Sequence, residues 1–210
     1  MATSSDPRPL AAWAVALGLG AAALVATVAG NALIVTRFEG APRPDDLLFE
    51  LLPYVWPARW LTIVALVGGF GAFVLVTLRQ DLGRLPTFGA VLALMYLLRA
   101  GIMVLTPLAP PHEEGVFVTA PPQFGMFPSG HVAALTVLAL LTPPDRRGLR
   151  RFQWAMVGLV VAGLLLAHGH YSVDVVGGLL LAYVVVHAWD SSRLLAPLSR
   201  AAGRVRPLQH

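Results

Sequence analysis

Six stretches of this chain are long and apolar enough to leave water, and no other property of the sequence restricts the fold as much. They run at roughly residues 10 to 36, 60 to 78, 86 to 105, 129 to 142, 153 to 168 and 172 to 189. About 20 apolar residues cross a bilayer as a helix, and every backbone N–H and C=O group in the hydrocarbon must find its partner inside the protein. The reading is therefore all-α: a polytopic membrane protein with six transmembrane helices. Charged residues make up only 12% of the chain, against about 25% in soluble domains, which excludes a mainly wet surface. The first run is longer than a signal-peptide core and is expected to remain as a helix.

The charge that is present is sorted by loop. All fifteen basic residues are arginine. Eleven of them belong to one side: Arg8, the 79–85 loop (Arg79, Arg84), the 143–152 loop (Arg146, Arg147, Arg150, Arg151) and the segment after 190 (Arg193, Arg200, Arg204, Arg206). Arg37, Arg43 and Arg59 fall on the other side, and Arg99 lies within the third run. The positive-inside tendency then puts both termini in the cytoplasm, in the expected setting of a bacterial plasma membrane. Charge distributed in this way reports topology, and no nucleic-acid partner is expected from it. Cysteine is absent, which excludes disulfides, thiolate catalysis and Cys-ligated metal.

Residues 37–59 and 106–128 are rich in proline and carry Asp45, Asp46, Glu50, Glu113 and Glu114. They read as outer loops or short surface helices whose acids are solvated. The organisation expected is one membrane domain over residues 1–190, followed by a disordered basic tail at 191–210 beside an anionic inner leaflet. No oligomeric state follows from the sequence.

Two short strings break the apolar pattern: Phe-Pro-Ser-Gly-His at 127–131 and His-Gly-His-Tyr-Ser-Val-Asp at 168–174. His170 and Asp174 are four residues apart, so on a helix they share a face and the carboxylate can orient the imidazole. His131 follows a Ser129-Gly130 turn at the start of an apolar helix, where free N–H groups and the helix dipole favour an anion. A nucleophile with its orienting acid, and a proton donor beside a phosphate cradle, are what this combination of residue types suggests. Arg99 is a candidate to balance phosphate charge, because an unpaired arginine in a bilayer is expensive. His168 and Tyr171 are further candidates for phosphate contact. His112 and His187 read as having no role in the site. Two histidines and one aspartate lack a third firm ligand, so neither a metal nor another cofactor is expected. The fourth apolar run has only about 14 residues between prolines, or about 21 Å of helix. Its outer end is expected to be recessed, giving a lipid head group a lateral way in.

With those residues quoted, the chain resembles the sphingomyelin synthase family, within the wider type-2 phosphatidic acid phosphatase superfamily. Arg-Pro-Asp-Asp-Leu-Leu-Phe-Glu at 43–50, Leu-Leu-Arg-Ala-Gly-Ile-Met-Val-Leu-Thr-Pro-Leu-Ala-Pro at 97–110 and Ala-His-Gly-His-Tyr-Ser-Val-Asp-Val-Val at 167–176 are similar to that family's segments, in order, over roughly residues 43–190. The resemblance implies a phosphatidic acid phosphatase-like helical bundle acting on a membrane lipid. It also implies that His170 attacks phosphorus, Asp174 supports it and His131 protonates the leaving oxygen. Where the family has Cys-Gly-Asp ahead of Ser-Gly-His, this chain has Gln123-Phe124-Gly125, and an acidic head-group-selecting residue is missing. Pro128 before Ser129 is similar instead to the phosphatase branch, whose further arginine is here Leu164.

The activity implied is phospholipid head-group phosphotransfer or phosphodiester cleavage, with lipid-phosphate hydrolysis as the alternative. A proton-coupled transporter would also keep ionisable groups in its helices. It would favour groups near the midplane and broken helices in paired halves, a pattern not evident here.

Overall fold

The apolar runs become helices in a computed structural model that describes residues 8–38, 40–80, 82–111 and 125–205. In chain order these are α1 (Arg8–Arg37), α2 (Leu47–Leu51), α3 (Arg59–Gln80), α4 (Leu85–Leu105), α5 (Gly130–Leu141), α6 (Arg147–Leu166), α7 (Ser172–Ser191) and α8 (Ala196–Ala202). No strand occurs among the described residues, and a lone bridge joins Leu108 to Gly125. Five helical spans are long and apolar enough to cross a membrane: Leu10–Arg37, Trp56–Gln80, Leu82–Leu105, Arg147–Leu166 and Ser172–Ser191. The chain is a multi-pass membrane protein.

The remaining apolar run, the fourth in the chain, is α5, and it differs in kind. It has 12 residues, so it is about 18 Å long and spans little more than half of a roughly 30 Å hydrocarbon core. Pro143 and Pro144 follow its C-cap, Thr142; their rings and missing N–H groups stop the helix there. Every α5 residue except His131 and Leu140 is buried. Helices α3, α4, α6 and α7 pack around it, while α1 lies outside against α4.

Apolar side chains face outward as well as inward, as expected where lipid replaces water. Helix α7 turns Val175, Gly178, Leu181, Ala182, Val185, Val186 and Trp189 inward, and leaves Val173, Val176, Leu180, Tyr183 and Val184 exposed. Leu17, Leu24, Val25 and Val28 on α1, and Val64, Val67 and Leu75 on α3, are exposed as well. In a soluble protein such a continuous apolar belt would drive aggregation; in a bilayer it meets acyl chains.

Two sequence expectations need correction. Helix α6 begins at Arg147 and not near residue 153, so Arg147, Arg150 and Arg151 lie on its first turns instead of in a loop. Arginine is a good helix former, and its long side chain reaches water from a helix end. The segment after Ser191, expected to be disordered, instead folds back as α8 against α1, α4 and α7. Trp189 is fully buried and its Nε1–H donates to Gly203 O at 3.0 Å. The Val205 N–H donates to Asp190 at 3.0 Å, Arg84 donates to Val205 O at 2.9 Å, and the Thr87 hydroxyl donates to Ala202 O. Gly203 has φ +100, and a Cβ there would lie 2.7 Å from Thr87 Oγ1, so the reversal needs glycine.

The helices alternate in direction. The C-termini of α1, α4 and α6 and the N-termini of α3, α5 and α7 therefore meet at one end of the bundle. Both histidine strings lie at that end.

Candidate active site

The loop before α5 and the turn before α7 are joined by backbone. The Ser129 N–H donates to Asp174 O at 3.0 Å, which fixes one string against the other. Gly177 and Gly178 make room for this approach: a Cβ on Gly178 would stand 2.7 Å from Ser129 O, and one on Gly177 would stand 2.5 Å from the Phe127 ring. Any side chain at either position would push the two strings apart.

His170 precedes α7 rather than lying on it, since the helix starts at Ser172 with Tyr171 as its N-cap. The expected sharing of one helix face by His170 and Asp174 is thus replaced by a cap geometry. Asp174, in the first turn, reaches back over the helix end and accepts from His170 Nδ1 at 3.0 Å and from the Tyr171 N–H at 3.1 Å. Both His170 and Asp174 are buried. An ionised carboxylate only accepts, so the Nδ1 contact places the ring proton there and leaves Nε2 as the basic nitrogen. His131 is the second residue of α5, and its ring lies edge-on to that of His170 with centroids 5.7 Å apart.

Two buried polar atoms beside these rings have no hydrogen-bond partner among the described residues: Ser129 Oγ and Asp174 Oδ1. Buried polar atoms are satisfied in the great majority of cases, so exceptions mark places where a water or ligand belongs. Ser129 caps α5 without using its hydroxyl, and the first-turn N–H groups at Gly130 to Val132 have no i−4 carbonyl by the geometry of a helix start.

Arg99 lies against this loop in an arrangement the sequence did not suggest. Its Nε–H donates to Pro128 O and its Nη2–H to Gly125 O, each at 2.9 Å, and its Nη1 lies 3.7 Å from Met103 Sδ. Gly130 is packed on it so closely that a Cβ would sit 3.0 Å from Arg99 Nε. Two of its donors therefore hold the loop that leads into α5 and His131.

His168 has φ +46, a left-handed conformation uncommon outside glycine. Its ring stacks on Phe49 of α2 at 4.2 Å and lies 5.4 Å from Tyr54. Tyr171 is buried and its hydroxyl donates to Ala109 O at 3.0 Å. Burial, and after it the charge of Asp174, raise its phenol above the ordinary 10, so it stays a neutral donor. His187 sits far from the site on α7, with Nδ1 2.8 Å from Tyr183 O.

The 40–55 segment contributes more than the solvated acids expected of it. Asp45 is exposed, but Asp46 is buried. It caps α2 by accepting from the Leu48 N–H at 2.9 Å, and its second oxygen accepts from the Ser172 N–H at 2.5 Å. Arg43 donates to Pro110 O at 3.2 Å, and the Ala109 N–H donates to Pro42 O at 3.1 Å. The Asp-Leu-Leu-Phe cap pattern and the Gly177-Gly178 pair were the signals available for these contacts. Neither names its partner. His112, Glu113, Glu114, Gln123 and Phe124 lie outside the described residues.

Residues 126–192 match the family model described as PAP2 superfamily C-terminal. The match covers α5, α6 and α7 and includes His131, His170 and Asp174. It supports membership of the PAP2 superfamily, and with it a lipid phosphatase or phosphotransferase type of activity. No curated protein matches the chain.

Proposed function

We propose, with the PAP2 superfamily match as the premise, that this chain is a sphingomyelin synthase-like enzyme. It moves or releases the phospho-head group of a membrane lipid through a phosphohistidine. His170 Nε2 attacks phosphorus, and the bond from phosphorus to the lipid oxygen breaks. The departing alkoxide takes a proton from His131, a general-acid contribution of about 10²- to 10⁴-fold. An acceptor hydroxyl then attacks phosphorus, returns its proton to His131 and frees His170. Splitting the displacement in this way replaces one difficult step with two easier ones. Asp174 holds the His170 tautomer and balances the positive charge that grows on the ring.

The observation that carries this reading is the joint geometry of the three groups: Asp174 on His170 Nδ1 at 3.0 Å and His131 5.7 Å from His170 by centroid. In-line transfer needs contacts of about 3 Å on either side of the reacting centre, so two rings this close can both address one phosphoryl group. Ser129 Oγ and the start of α5 supply hydrogen-bond donors for its equatorial oxygens. The arginine-poor end holds the site, so positive-inside reasoning puts it on the non-cytoplasmic face with both termini cytoplasmic.

Hydrolysis of a lipid phosphate monoester is the second reading, and Pro128 in the Pro-Ser-Gly-His string favours it. Reconstitution into vesicles with lipids labelled at phosphorus separates the two. Phosphatidate yielding free phosphate indicates the second reading. Phosphatidylcholine or phosphatidylethanolamine yielding a phospho-alcohol, or passing its head group to added ceramide or diacylglycerol, indicates the first. Substrate crossing the bilayer with no bond broken would replace both with a transporter.

A further inference from the structure

Helix α7 carries the catalytic turn and caps its start only in part, through Asp174 on the Tyr171 N–H. Its N-cap residue is Tyr171, whose hydroxyl is turned away to Ala109 O and makes no cap bond. The Ser172 N–H, in the first turn of α7, is taken instead by Asp46 Oδ2 from 126 residues away. The other oxygen of the same carboxylate caps α2 through the Leu48 N–H. One buried carboxylate thus closes two helix starts at once, and between them lies the turn that presents His170.

We propose that Asp46 is a positioning residue for the His170–Asp174 pair: a cap supplied in trans that locks the 168–172 turn to the α2 segment. The proposal rests on His170 being the nucleophile. Its physical logic is that a carboxylate at a helix N-terminus is favoured by the dipole as well as by the hydrogen bond. Phe49, three residues on, stacks on His168 and lies 5.8 Å from the Tyr171 ring, so α2 grips the turn from both sides of His170. Without the Asp46 link the Ser172 N–H loses its acceptor, and the turn is left to the Asp174 contacts, the Tyr171 bond to Ala109, the backbone bonds of His168 and Gly169 to α6 and the aromatic stack. A displacement of the attacking nitrogen by about 1 Å is enough to cost roughly 10²-fold in rate.

Both carboxylate oxygens are in use, and that gives the test its discrimination. Asparagine is as good an N-cap as aspartate, so if Asp46 served only α2, Asp46→Asn would behave as wild type. The Leu48 and Ser172 N–H groups reach different oxygens, and in asparagine one of those positions becomes an NH2 that can only donate, so one of the two bonds is lost. Ser172→Pro removes the same hydrogen bond from the donor side, at a first-turn position that proline favours. The full-length protein in phosphatidylglycerol vesicles, with fluorescent phosphatidate and phosphatidylethanolamine as probes, gives kcat and KM. Hydrogen exchange of the 168–175 amides reports the turn itself.

Asp46→Asn and Ser172→Pro are each expected to lower kcat about tenfold or more with KM within about twofold, and to speed exchange in 168–175. The double variant is expected to be no worse than the poorer single. Asp45→Ala, at the exposed neighbour, is expected to match wild type. Wild-type behaviour of Asp46→Asn, unchanged exchange, or losses that multiply in the double variant would each overturn the role of Asp46. Failure of the wild type to cleave either probe would count against the proposed activity instead, and the exchange data would still decide whether Asp46 holds the turn.

Discussion

The two ends of the bundle are tied by the same device, a distant segment returning to hydrogen-bond helix termini, but they complete it differently. At the α8 end the returning chain meets its partners: Trp189 with Gly203, Asp190 with Val205, Arg84 with Val205 and Thr87 with Ala202. At the histidine end the loops are equally well anchored by Asp46, Arg99 and Tyr171. Yet Ser129 Oγ and Asp174 Oδ1 are left buried and unmatched there. Thr62, Thr136 and Gln153 also carry unmatched buried atoms, but each lies between packed helices and not beside the paired histidine rings. One end is closed as a scaffold, and the other is closed except where a substrate would complete it.

The comparison breaks most decisively at His170. His170→Ala should remove turnover by at least about 10³-fold while leaving the thermal midpoint in detergent close to wild type; retained turnover ends its role as nucleophile. His131→Ala should follow at about 10²- to 10⁴-fold, with partial recovery for lipids that have a more acidic leaving group; equal loss on all leaving groups would argue against proton donation. At the other end the effect should appear in stability. Trp189→Ala, which empties a fully buried site, should cost about 3–5 kcal/mol with kcat per folded molecule unchanged. A kcat that falls with the midpoint would show the ends to be coupled.

The smallest effect concerns Tyr171. Loss of its bond to Ala109 in Tyr171→Phe should cost about 1 kcal/mol. Its phenol is raised above 10 by burial and then by Asp174, so the unfolded chain ionises first as the solution becomes alkaline. The stability contributed by this group is therefore complete below pH 10 and declines above it, and Tyr171→Phe should flatten that decline in melts across pH 9 to 11. An identical alkaline slope in the variant would assign the loss to other groups.

What the sequence made legible follows from how far each signal reaches. Helices were readable because apolar runs are local, and their ends largely because proline and glycine act on their neighbours. His170 and Asp174 were readable as a pair because four residues separate them, although the contact turned out to be a cap and not a helix face. Arg99 was legible as an expensive buried charge, but its partners, the carbonyls of Gly125 and Pro128, carry no side-chain signature. Asp46 was read as solvated, since nothing near it in the chain announces Ser172. The tail was read as disordered from its arginines, whereas its fold depends on Trp189 and Gly203 meeting across a reversal. Position within the membrane, and the choice between head-group transfer and monoester hydrolysis, depend on groups that no short pattern records.

Helix α5 has a consequence for how this protein tolerates its surroundings. It touches other helices on nearly all sides, so a thicker or thinner bilayer acts on it only through the spans around it. Mismatch would be taken up by tilting of α1 and α3, whose outer faces are exposed. The gap between the imidazoles is then set by protein packing alone, and changes in acyl-chain length should alter how readily a lipid arrives more than how fast it reacts once seated.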